Sequence, residues 1–155
     1  MRKAAYAASP AKSSGAAFLR LLADDTRLRI LNLLLRTPDL CVCELVAILR
    51  LPQYQISRHL GPLRRSGLLT TERRGPFVFY GIAERTRRNP VYRAILRAVP
   101  QLAAAQLGPG DVGRMRRLMK LENAQRVATC TAESAAGSLR TRPILRVLNT
   151  KQTTA

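Results

Sequence analysis

The chain has 155 residues, 46% of them hydrophobic, which suits one domain with tails, or one domain plus a dimerisation segment, and argues against wholesale disorder. Its 27 lysines and arginines against nine acidic residues give a formal net charge of +18, a field that attracts polyanions, nucleic acid first among them. The apolar runs are short and broken by arginine, which excludes a membrane-spanning helix, and the basic, small-residue-rich start lacks the continuous apolar stretch of a signal peptide.

Residues 1–15 read as a flexible basic tail. From Ala16, "AAFLRLLADDTRLRILNLLLRTPDL" spaces its apolar residues for two helices divided at Asp24 and Asp25. Asp25 is the expected cap of the second, which turns Leu28, Leu31, Leu34 and Leu35 to one side. Thr37, Pro38 and Asp39 are turn formers that end it, and either Thr37 or Asp39 could cap a third helix carrying Leu45, Ile48 and Leu49 inward. After "RLPQ", the segment "QYQISRHLGPLRRSG" puts Ile56, Leu60 and Leu63 on one helical face, with Gly67 as its C-terminal stop. Gly61-Pro62 inside that segment predicts a kink or a break, because proline removes a helical hydrogen bond and clashes one turn back.

Next, "LLTTERRGPFVFYGI" holds two β-rich runs, Leu68–Glu72 and Phe77–Ile82, around a basic tip with Gly75-Pro76, the pattern of a hairpin. Beyond it Tyr92, Ile95, Leu96, Val99 and Leu102 form a helical stripe; Val112, Met115, Leu118 and Met119 form another, with Asp111 as its cap. The last stretch, residues 131–155, reads as a disordered tail. The expected fold is mostly α with a small β-hairpin, a winged helix-turn-helix in which the second helix of the pair enters a major groove.

Three stretches carry a family likeness: "LLADDTRLRILNLLL", "DLCVCELVAILRLPQYQISRHLGPLRRSGLL" and "ERRGPFVFYGI", together covering roughly residues 16–82. They resemble the ArsR/SmtB family of winged-helix, metal-responsive repressors, and the segment around Cys41 and Cys43 is similar to its arsenic-responsive branch. The resemblance implies C-terminal dimerisation helices and a domain division of residues 16–107 as winged helix-turn-helix with dimerisation helix and residues 108–130 as an additional helix. It also implies a homodimeric repressor on operator DNA, an imperfect inverted repeat, released when arsenite or antimonite binds Cys41 and Cys43. Two departures stand out. Val46 occupies a position where some relatives carry a third cysteine, and His59 is the only histidine, so the family's alternative zinc site on the C-terminal helix is absent.

Cys41 and Cys43 pose a geometric question. Residues i and i+2 of a helix point to nearly opposite sides. Sulfur–metal bonds of about 2.3 Å hold two sulfurs within about 4 Å. Capture of an ion is therefore expected to unwind the first turn of the third helix and so disturb the DNA-reading pair. Thiolates select soft ions, trivalent arsenic and antimony included, over magnesium or calcium, and a helix N-terminus favours the thiolate. A three-coordinate ion needs one further ligand, which Cys130 or a group from outside the chain can supply; for Cys130 itself, incidental placement is the favoured reading over a ligand role. The bland alternative for the pair itself is two small buried hydrophobes.

The face opposite Ile56, Leu60 and Leu63 presents Gln53, Gln55, Ser57, Arg58 and His59, with Tyr54 nearby: glutamine suits adenine, arginine suits guanine, and serine and histidine suit bases or phosphates. Arg73 and Arg74 fit a wing reaching the DNA backbone or minor groove. A plain solvated polar face is the competing reading. Taken together, the expected function is an arsenite- or antimonite-induced repressor in the cytoplasm, with no membrane partner, no organic cofactor and no enzymatic activity. The alternatives are a sensor of cadmium, lead or copper(I), a constitutive DNA-binding protein with vestigial cysteines, or a dithiol enzyme. Against the last, no phosphate loop, carboxylate pair or histidine-based triad is present.

Overall fold

Asp24 stands just after one helix and begins the next. In the computed structural model, which describes residues 15–106, 110–121, 125, 126 and 128, α1 (Gly15–Leu22) is followed by α2 (Asp25–Leu34). The extended Asp24, rather than the expected Asp25, caps α2, its Oδ1 accepting from the Arg27 N–H at 2.8 Å. Then come β1 (Leu40–Cys41), α3 (Val42–Leu49), α4 (Gln53–Arg65), β2 (Leu69–Arg74), β3 (Phe77–Ile82), α5 (Glu84–Arg88), α6 (Pro90–Gln106) and α7 (Gly110–Met119). The tails expected at 1–15 and 131–155 lie outside the described residues, apart from Gly15, which opens α1; so does Cys130.

The helical spacing of leucine and isoleucine works as expected. Ile30, Leu31, Leu33 and Leu34 of α2 meet Leu45 and Ile48 of α3, Ile56, Leu60 and Leu63 of α4 and Val99 of α6 in one fully buried cluster. Each such side chain contributes about 1.5–3 kcal/mol of burial free energy. In α6 the inward positions are Leu96, Val99 and Ala103, whereas Leu102, expected on the apolar stripe, is 50% exposed. Asp111, expected to cap α7, is instead inside the helix and buried.

The helix-turn-helix pair is α3 and α4, joined through Arg50, Leu51 and Pro52. Arg50 adopts the left-handed region (φ 55°) and its N–H returns to the Val46 carbonyl, closing α3. Of the kink or break expected at Gly61-Pro62, the break does not occur: α4 runs through Pro62 to Arg65. Proline costs one bond, to the carbonyl of Arg58 on the exposed side, while Leu60 and Leu63 on either side of the proline are anchored in the core. Gly67 (φ +76°) follows the helix as the expected stop.

The hairpin is part of a three-stranded antiparallel sheet in the order β1-β3-β2. Arg73 and Arg74 finish β2 opposite Val78 and Phe77, so the tip narrows to Gly75 and Pro76, with Gly75 at φ +59°. The third strand was not expected. Leu40 and Cys41 pair with Tyr80 and Phe79, which removes Thr37 and Asp39 as caps of α3 and makes Cys41 the cap. Gly81 lets this strand approach: a Cβ there would lie 2.7 Å from the Pro38 carbonyl oxygen. Gly81→Ala is accordingly expected to cost about 1–3 kcal/mol, as overpacking does, read as a lower urea midpoint. An unchanged midpoint would show the turn at Pro38 to be compliant.

Candidate functional site

Cys41 stands at a joint. Its backbone is extended (φ −83°, ψ 166°), it belongs to the sheet as the partner of Phe79, and it is also the N-cap of α3. Cys43 follows within the first turn of that helix. Because Cys41 is not itself helical, the opposite-sides argument does not apply to the pair: the two sulfurs lie 2.8 Å apart, as thiols rather than a disulfide. The expectation that α3 must unwind before the sulfurs can meet is therefore corrected. A soft ion with bonds of about 2.3 Å asks the sulfurs to separate modestly, within about 4 Å.

Glu44 organises this corner. It is buried, and its Oε2 accepts from the Cys41 N–H at 2.9 Å, completing a capping box in which cysteine takes the place usual for serine or threonine. Burial pushes the Glu44 carboxyl above the ordinary carboxylate range; the Cys41 N–H and the Arg126 guanidinium pull it back. Arg126 reaches the other oxygen, with Nε 2.8 Å from Oε1 and Nη2 also donating to it. Cys130, four residues beyond Arg126 in the sequence, lies outside the described residues. Among the described residues no group of three His, Cys, Asp or Glu side chains is placed to hold a metal ion.

The other end of α3 is held by charge as well. Asp111 of α7 accepts from Arg29 of α2 through both oxygens, at 2.8 and 3.0 Å, and from Nη2 of Arg114. Arg29 also donates to the Leu49 carbonyl at 3.2 Å and Arg114 to that of Ile48, so two guanidinium groups satisfy carbonyls that the end of α3 would leave open.

Of the residues expected to meet DNA, Gln53, Tyr54, Ser57 and Arg58 are exposed along α4, Tyr54 at 62%, and Gln55 is half-buried with its amide donating to the Tyr54 hydroxyl. His59 is turned differently. It is half-buried, and its Nδ1 lies 3.2 Å from Asp24 Oδ1 at the cap of α2, within ion-pair distance when the imidazole is protonated but without a hydrogen bond between them. Arg73 is exposed beside the tip, its Nε donating to the Gly75 carbonyl. Arg74 donates to Glu72 and to Asp39, both at 2.6 Å, and lies over the Phe79 ring at 4.5 Å. The guanidinium holds the Glu72 carboxyl below its usual range, and Glu72 and then Asp39 raise Arg74 in return. Asp39 precedes β1, so Arg74 fastens the wing to the turn before the thiols.

Sequence reasoning missed Glu44, Arg126 and the pairing role of Asp111. Only Glu44 left a trace, the cap-x-x-Glu spacing, obscured by a cysteine in the cap position. The ion pairs of Arg126 and Asp111 span 82 residues each and have no local signal.

Residues 24–71 match the family model described as "Bacterial regulatory protein, arsR family". The chain is 51% identical over 61 residues to the arsenic resistance transcriptional regulator ArsR1 of Pseudomonas putida, covering 39% of this chain and 48% of that one. It is 47% identical over 64 residues to the arsenical resistance operon repressor of Escherichia coli, covering 41% and 55%. A third relative, an uncharacterised HTH-type transcriptional regulator of Methanocaldococcus jannaschii, is 36% identical over 69 residues, covering 44% of this chain and 78% of that one. The chain spans about half the length of the first two relatives it matches.

Proposed function

The chain belongs to the arsR family of bacterial regulatory proteins, and from that premise we propose that it is a homodimeric, cytoplasmic repressor that leaves its operator when arsenite or antimonite bridges Cys41 and Cys43. The observation that carries the reading is the 2.8 Å separation of two sulfurs at the joint between α3 and the wing sheet. The donor set is soft, which suits trivalent arsenic and antimony. Cys130 is the proposed third thiolate, supported by the ion pair that brings Arg126 to Glu44, the residue after Cys43. Operator contact is assigned to Gln53, Tyr54, Gln55, Ser57 and Arg58 on α4 and to Arg73 on the wing; His59 positions α4 through Asp24, and Arg74 swings to phosphate from its acidic partners.

The coupling runs through Cys41. A ligand shifts DNA affinity only if it binds the free and DNA-competent states with different affinity. Spreading the sulfurs around an ion moves a residue that is both the cap of α3 and the ladder partner of Phe79, so the same displacement loads the reading pair and the wing. Dimerisation is assigned to α1 and α6, joined by the stack of Phe18 on Tyr92 with centroids 4.3 Å apart; these helices leave Leu19, Val91 and Leu102 exposed at 50% or more. No helix among the described residues is long and apolar enough to cross a membrane.

A mobility-shift assay on the DNA upstream of the chain's own gene, titrated with arsenite, antimonite, cadmium and zinc, tests the reading. Release at the lowest concentrations of arsenite or antimonite is expected. Retention across both series overturns it. Release by cadmium alone establishes the second reading, a sensor of another soft metal, which Val46 in place of a third nearby cysteine favours.

A further inference from the structure

The C-terminal part of the chain grips α3 at both ends. At the start of α7, Asp111 and Arg114 engage Arg29 and the Ile48 carbonyl, at the C-terminal end of α3. At the end of α7, Met119 Sδ lies 4.0 Å from the Thr37 hydroxyl, just before β1. Arg126 then meets Glu44 in the first turn of α3. The path is antiparallel to α3, and it delivers a guanidinium, with 19% of its side chain exposed, to a carboxylate that is 3% exposed.

Glu44 has two oxygens with two separate partners. Oε1 receives Arg126 and Oε2 receives the Cys41 N–H. Cys41 must stay extended to cap α3, and that conformation is what sets its sulfur beside that of Cys43. Unpaired, a buried carboxylate turns toward water or draws water in, and either response loosens its bond to Cys41.

We propose that Arg126 is a positioning residue of the thiol site: by pinning Glu44 against the Cys41 N–H, the C-terminal segment pre-aligns Cys41 and Cys43 for a ligand that bridges two thiols. The proposal rests on the reading of Cys41 and Cys43 as the inducer site. It assigns the C-terminal segment a part in ligand affinity that the DNA-reading domain alone does not supply.

The test uses the full chain and phenylarsine oxide, whose arsenic–oxygen bond is exchanged for two arsenic–sulfur bonds as both thiol protons leave with the oxygen as water. Arg126→Ala should weaken binding about 10-fold or more, in the range that loss of an outer-shell partner costs a metal site, and Arg126→Lys should recover most of it. Single-thiol alkylation by iodoacetamide should not slow in either variant, because it needs no alignment. In a Glu44→Gln background, where the amide oxygen can still accept from Cys41 but no carboxylate awaits a cation, Arg126→Ala should have no effect. Wild-type affinity in Arg126→Ala, or an undiminished 10-fold loss in the Glu44→Gln background, overturns the proposal. If wild-type chain and Cys41→Ser bind phenylarsine oxide alike, the inducer-site reading itself falls, a result visible before any Arg126 variant is made.

Discussion

Cys41→Ser is expected to leave operator binding in place and to raise the arsenite concentration for half-release by at least about 100-fold, the upper end of what loss of even an outer-shell partner costs a metal site. Serine offers a hard hydroxyl where a soft ion needs a thiolate. It is also among the preferred helix caps, so α3 should start as firmly as before; the capping bond from Cys41 N–H to Glu44 is made by the backbone and survives the exchange. Loss of response with retained DNA binding is thus the signature of a ligand site rather than of a damaged fold. Cys43→Ser should behave likewise, since a single remaining sulfur cannot bridge. Operator release at wild-type arsenite concentrations in either variant would remove the thiol pair from the mechanism. A fall in operator affinity without arsenite would show that the thiols hold the reading pair together structurally.

The second large effect is on stability. Asp111→Ala removes a carboxylate whose side chain is 4% exposed and strands the guanidinium groups of Arg29 and Arg114 that converge on it. Breaking a buried ion pair by deleting one partner costs about 3–5 kcal/mol. Arg29 and Arg114 keep 22% and 21% of their side chains exposed and can recover some hydration, which places the expected loss near the lower end, about 3 kcal/mol. Asp111→Asn retains an acceptor and should cost less. Urea unfolding followed by circular dichroism measures both variants. A loss below about 1 kcal/mol for Asp111→Ala would mean that the three-residue network contributes no more than an exposed pair.

The two experiments probe opposite ends of α3. The thiols sit where the helix joins the wing sheet, and Asp111 secures the end that leads into the turn before α4. A helix of eight residues is too short to hold its own shape in water, so its ends must be fixed from outside. Both fixings also touch what the chain is proposed to do: one holds the ligand donors, the other sets the entry to the recognition helix.

Much of this was legible in the residues themselves. The spacing of Leu28, Leu31, Leu45, Ile48, Ile56, Leu60 and Leu63 marked three helices and their inner faces, because burial of apolar side chains repeats with the helical period wherever a helix lies on a core. Glycine at 67 and 75 marked a helix stop and a strand turn, since both positions require positive φ. Net charge and the two cysteines one residue apart carried two further expectations, a polyanionic partner and soft-ion chemistry, which belong to the proposed function. What the residues could not disclose depends on which distant segments meet. The pairing of Cys41 with Phe79 took that cysteine out of the helix and set its sulfur beside that of Cys43, so a spacing that local geometry made awkward became a close pair of thiols. The exposed or inward aim of His59, the bonds of Asp111 and the arrival of Arg126 at Glu44 were settled the same way. Local sequence specifies dihedral preference and apolar period; the partner of a charge or of a sheet edge is chosen by the packed chain as a whole, where desolvation makes a mismatch costly.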